Sequence, residues 1–234
     1  MLTTVKTAPL LTVHNPVGYP PTISRKQPAP RPGSLDGKTV YLVDTKFDDS
    51  VELLKQVQAW FAAKMPGVKT VLRQMASYYG KDDPELWNEI RTQGHAAIIG
   101  VGHCSTCAPA VTTHAITLET KYGVPTVALH TDKFVRIARS VSRMGGLQQV
   151  PQVFVPQPVM GQDAAQLSAY VDGVDRASGR PLMRAIVEGL TQPPAAAATD
   201  AAGGALRVRA RVVGDIAAAA VSPPSAADRS PGRS

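Results

Sequence analysis

Between residues 38 and 190 the chain alternates short apolar runs with stretches of helical period, and this rhythm constrains the fold more than any other feature. Lys38–Asp44, Val68–Arg73, Ala96–Val101, Val124–Leu129 and Gln152–Val155 read as strands. Ser50–Lys64 reads as an amphipathic helix, with Val51, Leu54, Val57 and Phe61 near helical spacing. Pro84–Thr92 is a second helix, with Asp83 as its N-cap and Pro84 in its first position. Ala108–Tyr122 is a third, stopped by Gly123, and Asp132–Met144 a fourth, closed by Gly145-Gly146. Ala164–Leu190 reads as helical with a break near Gly179-Arg180-Pro181. Strands that alternate with helices predict an α/β fold. The expected form is a parallel five-stranded sheet with helices on both faces, flavodoxin-like or doubly wound.

The ends of the chain differ in kind. Residues 1–36 hold seven prolines and little periodicity, and read as an extended arm. Apolar stretches such as Pro9–Val13 and Val17–Pro20 predict that part of this arm packs on the domain or on a second subunit. Residues 193–234 are rich in Ala, Pro, Gly and Ser and read as a low-complexity tail, within which Leu206–Val213 alternates as a short strand would. The α/β domain is thus expected over 37–192.

With 44% apolar residues the chain can build a core, and its net charge is +7. Much of that charge lies in the terminal segments, and no basic stripe is interleaved with aromatics, so nucleic-acid binding is not expected. There is no long apolar run for a membrane helix and no basic start followed by a long apolar stretch for a signal peptide. A cytoplasmic protein, forming a homo-oligomer, is expected.

The two cysteines stand together in Gly100-Val-Gly-His-Cys-Ser-Thr-Cys107, directly after the third strand. A Cys-x-x-Cys can close a disulfide, hold a soft metal, or pair a nucleophile with a resolving thiol. In open α/β sheets ligands bind beyond the carboxyl ends of the strands. That rule gathers Asp44 and Lys46 after strand one, His103, Cys104 and Cys107 after strand three, and His130 and Asp132 after strand four. Pro156 and Pro158 after strand five complete the set. A turn from strand three into a helix near Cys107 would aim both sulfurs at the helix N-terminus, which favours thiolate.

Three chemistries fit these residues. The first is thiol redox or nucleophilic chemistry on a small molecule, with Cys104, Cys107 and His103 catalytic and Asp44, Gly102, His130 and Asp132 binding substrate. A protein redox partner or partner subunit could then complete the system. The second is a transition-metal site of His103, Cys104, Cys107 and His130 in a subunit of a larger enzyme. The third is covalent lyase or hydrolase chemistry without redox, with Cys104 activated by a histidine that acts as base or supplies positive charge. No cofactor is expected. Ser105 stands where a dinucleotide fingerprint needs its third glycine. His114 lies two turns into its helix and reads as structural. Asp48 and Asp49 read as loop charge and a helix N-cap.

The run from Ala97 to Ala108, with Leu118-Glu119, Lys121–Thr126 and Phe134, resembles the UGSC-motif (seleno)proteins, named for a selenocysteine–Gly–Ser–Cys motif in the same turn. The likeness spans about residues 38–172. It implies a redox-active or nucleophilic Cys104 in the selenocysteine place, with Cys107 as resolving cysteine. Ser105 and Thr106 replace the Gly-Ser.

Overall fold

The structure, a computed structural model, describes residues 22–194. The strand-like segment near residue 210 and the apolar stretches before residue 21 lie outside the described residues. Five strands, β1 (Thr39–Asp44), β2 (Lys69–Gln74), β3 (Ala96–Gly102), β4 (Thr126–Thr131) and β5 (Gln152–Val155), form one sheet. Its order is β2-β1-β3-β4-β5, and every pairing is parallel. This is the flavodoxin-like doubly wound order, in which the chain reverses direction between β1 and β3.

Alternation along the strands builds two cores. Val40, Leu42, Ala96, Ile98, Val127, Leu129, Val153 and Val155 face one side. They pack on α1 (Ser50–Lys64), α5 (Ala164–Asp172) and α6 (Leu182–Thr191). Tyr41, Val43, Ala97, Ile99 and Ala128 face the other side, against α2 (Pro84–Gln93) and α3 (Cys107–Thr117). The fourth helix, α4 (Val135–Met144), lies beside α3.

Local signals explain most helix boundaries. Asp83 caps α2, its carboxylate accepting from the Leu86 N–H at 3.2 Å. Asp163 and Gln166 form a reciprocal capping box at the start of α5. Three expectations are corrected. The helix after the cysteines is α-helical only to Thr117 and continues as a π-helical turn, Leu118–Tyr122, before Gly123 reverses the chain at φ +69°. The expected break in the last helical stretch is present but wider, over residues 173–181, because the side chain of Asp175 organises a turn there. Its Oδ1 takes the Phe154 N–H at 2.8 Å and its Oδ2 the Ser178 N–H at 3.0 Å. β4 both begins and ends two residues later than the apolar run suggests, running to Thr131, so His130 lies inside the strand rather than after it.

The distal part of the proline-rich segment packs on the sheet domain. Ala29 and Leu35 are buried, and Arg31 reaches Glu119 of the π-helical turn. Among the described residues, no helix is long and apolar enough to cross a membrane.

Candidate functional site

The Cys-x-x-Cys sits beyond the carboxyl end of β3, beside the loop that leaves β1, at the point where strand order reverses. β3 reaches this point through two glycines. A Cβ on Gly102 would stand 2.1 Å from His130 Nδ1 and 2.9 Å from Ala108 Cα. Only a residue without a side chain lets β4 and the start of α3 close on the strand there. Residues 103–106 then turn the chain, and α3 starts at Cys107.

The two thiols are free and unlike each other. Cys104 is partly exposed and Cys107 is fully buried. Cys104 Sγ accepts the backbone N–H of Cys107, the first residue of α3, at 3.0 Å. The sulfur thereby takes an orphan donor of the helix, since the Thr106 side chain makes no cap bond. Thr106 Oγ1 lies 3.2 Å from the same sulfur, and the Tyr79 hydroxyl lies 2.9 Å from Thr106 Oγ1. Burial pulls the Cys104 pKa upward. Hydrogen bonds from the Cys107 thiol, the Thr106 hydroxyl and the backbone N–H groups of both outweigh it, and the net shift is downward. Cys107 goes the other way. Burial first, then its bond to Cys104 and the charge of that sulfur, push its pKa up to about 12. The helix N-terminus thus serves one sulfur and not both.

The other expected site residues divide. His103 is buried beside the pair, with its ring edge-on to Phe47 at 4.4 Å between centroids. Burial lowers its pKa more than Asp48 and Asp49 raise it, and its Nε2 has no partner among the described residues. Burial thus disfavours the charged form of His103, which works against its adding positive charge beside Cys104. Asp44 is at the edge as expected, but both its oxygens are occupied. Oδ1 accepts from the Lys46 N–H at 3.0 Å and from the Ser50 hydroxyl, and Oδ2 from Gln74 Nε2 at 2.7 Å. It braces the β1–α1 loop. His130 is fully buried, stacked on Phe154 at 5.6 Å, with Nε2 3.3 Å from Thr112 Oγ1. Burial drives its pKa down to about 3, and it stays uncharged. Asp132 opens a short 3-10 turn after β4, and one of its oxygens pairs with Arg176 at 3.5 Å. Asp49 occupies the N-cap position of α1 but does not cap it through its side chain, which accepts the Gly161 N–H at 2.7 Å instead.

Among the described residues, no three His, Cys, Asp or Glu side chains converge as a metal site would require. His130 in particular is turned to Thr112 and Phe154 rather than joining His103 and the cysteines.

Residues not singled out from the sequence complete the surroundings of Cys104. Phe47 comes from the β1–α1 loop, where Lys46 and Asp49 both have left-handed backbone, at φ +59° and +56°. Tyr79 comes from the β2–α2 loop and packs edge-on to Phe47 at 5.5 Å. His114 Nε2, 2.7 Å from the Tyr79 carbonyl oxygen, ties that loop to α3, the structural role expected of it. Aromatic residues in two loops far apart in sequence were the only available signal.

A doubly wound α/β protein with an asymmetric thiol pair at its switch point is the class that fold and site define. The pattern of the UGSC family matches residues 12–183, and the chain belongs to that family. No curated protein matches the chain.

Proposed function

We propose that the protein is a thiol-dependent enzyme in which Cys104 attacks a small-molecule substrate and Cys107 resolves the resulting adduct. One observation carries this reading. The partly exposed sulfur takes the helix N–H and a hydroxyl, while its partner is buried and held protonated. Thiolate is the reactive form of cysteine, and a low-pKa thiol beside a buried one is the arrangement of a nucleophile with its resolving partner.

With a small disulfide as substrate, Cys104 thiolate attacks one sulfur and the substrate S–S bond breaks. The departing thiolate takes the electron pair and a proton from water. Cys107 then loses its proton and attacks Cys104 Sγ, and the second substrate thiol leaves. The substrate gains two electrons, the protein becomes a disulfide, and an external dithiol restores it. Part of what holds Cys107 protonated is the charge on Cys104. That part disappears once Cys104 is bonded to substrate, so the resolving thiol is released when it is needed.

Intact-mass measurement after titration with a small disulfide tests the reading. The expected result is oxidation to a species lighter by one H2, reversed by dithiol, with a mixed disulfide trapped on Cys104 in the Cys107→Ser protein. A mixed disulfide on Cys107 in the Cys104→Ser protein, formed at the same rate, would overturn the assignment.

A further inference from the structure

We propose that Tyr79 is a positioning residue for Cys104, holding the sulfur as an anion through the hydroxyl of Thr106. This rests on the reading of Cys104 as the reacting thiolate. The direction of the hydrogen bonds follows from that state. A thiolate only accepts, so at 3.2 Å the Thr106 hydroxyl must give its one proton to Cys104 Sγ. With that proton committed, Thr106 Oγ1 can only accept at its other contact, and the Tyr79 hydroxyl at 2.9 Å must donate. Protonating the sulfur removes the demand that fixes both donors. The chain from Tyr79 through Thr106 is therefore complete for the anion and looser for the thiol. Donors in series polarise one another, so the outer hydroxyl strengthens the inner bond.

The fold holds Tyr79 for this task from three sides. Its ring meets Phe47 edge-on and Tyr78 at 5.8 Å, and its carbonyl is tied to His114 on α3. The β2–α2 loop, with no cysteine of its own, is thereby joined to the reactive turn. The other titratable groups about the sulfur are Cys107 on α3, His103 in the turn, and Asp48 and Asp49 of the β1–α1 loop, which act on His103. None of them touches the Tyr79 hydroxyl or Thr106 Oγ1 among the described contacts.

The test is the pH dependence of alkylation at Cys104, followed by peptide mass in the reduced full-length protein. It compares wild type, Tyr79→Phe, Thr106→Val, Thr106→Ser and the Tyr79→Phe/Thr106→Val double variant. Removing a hydroxyl bond to a charged group should raise the midpoint by about one pH unit in Thr106→Val. Tyr79→Phe should raise it by roughly a third of that. Thr106→Ser should keep the wild-type midpoint, and the double variant should match Thr106→Val alone. An unchanged midpoint in Tyr79→Phe overturns the proposal. So does a Tyr79 effect of equal size with and without the Thr106 hydroxyl, because the tyrosine would then act by another route. Thermal melts of Tyr79→Phe, which keeps the ring, separate a packing effect from the shift. Were Thr106→Val to fail to fold, Tyr79→Phe with Thr106→Ser still decides. Loss of Cys104 preference in the wild-type protein would instead defeat the underlying thiolate reading.

Discussion

At the scale of single residues, the two cysteines differ in environment far more than in sequence. Iodoacetamide should modify Cys104 first, with an apparent pKa below the about 8.5 of a free thiol. Cys107 should stay unmodified through the neutral range, since burial and the neighbouring sulfur hold its pKa near 12. Peptide mass mapping checks the order, and equal labelling of both would contradict it. His130 supplies a second measurable effect. Its pKa is depressed to about 3 in the folded protein, whereas an unfolded histidine titrates near 6.5. Between these values the unfolded chain binds a proton that the folded one refuses. Stability is therefore fully present above about pH 6.5 and falls as pH drops towards 3, by up to roughly 1.4 kcal/mol per unit. Urea titrations of wild type and His130→Gln from pH 7 to 4.5 should diverge in slope, the variant being flatter. The residue type at positions 103, 104, 107 and 130 was legible as chemistry. Which of them would be charged was not, because that depends on burial by segments remote in sequence.

At the scale of elements, the β3–α3 turn depends on close approach of three pieces of backbone. Gly102→Ala should destabilise the protein by about 1–3 kcal/mol, because the new methyl would meet His130 Nδ1 and Ala108 Cα at far less than contact distance. A calorimetric melt within error of wild type would show that β4 can move aside. Helix starts were legible where a side chain signals them locally, as Asp83 does before Pro84. The start of β4 was not. Val124 and Pro125 read as strand by composition, but they complete the reversal that follows Gly123, and pairing with β3 starts only at Thr126. That two-residue offset moves His130 from a loop into the sheet, which changes its reading from substrate ligand to buried partner of Thr112. Tyr79 went unnoticed, and Thr106 was read only as a departure from the family's Gly-Ser, for a related reason, since a hydroxyl has no motif until a fold brings a sulfur to it.

At the scale of the whole molecule, one buried ion pair ties the proline-rich segment to the domain. Glu119 accepts from Arg31 Nη1 and Nη2, each at 2.7 Å, and from the N–H groups of Ala29 at 2.8 Å and Thr126 at 2.7 Å. Arg31 also donates to the Gly189 carbonyl at 3.2 Å, so segment, π-helical turn, β4 and α6 meet at one point. Burial pushes the Glu119 pKa up, and Arg31 and the N–H donors pull against it. Arg31→Ala would leave that carboxylate buried without its cation and should cost about 3–5 kcal/mol. A chain beginning at Gly33 should lose a comparable amount in a denaturant titration. Equal stability of all three proteins would mean that the segment only rests on the surface.

The sequence by itself determined the α/β class, the strand count, the Asp83 cap of α2 and the placing of the Cys-x-x-Cys beyond the third strand. These rest on short-range causes: hydrophobic period, a capping side chain and the position of a motif within the strand–helix rhythm. Tertiary structure alone decided that Cys104 and not Cys107 takes the helix N–H. It also decided that both Asp44 oxygens and His130 Nε2 are spent on the fold, and that Tyr79 and Arg31 reach residues 25 or more positions away. Charge state and hydrogen-bond partnership depend on what excludes water and what stands within 3 Å, and neither exists until the strands have taken their order.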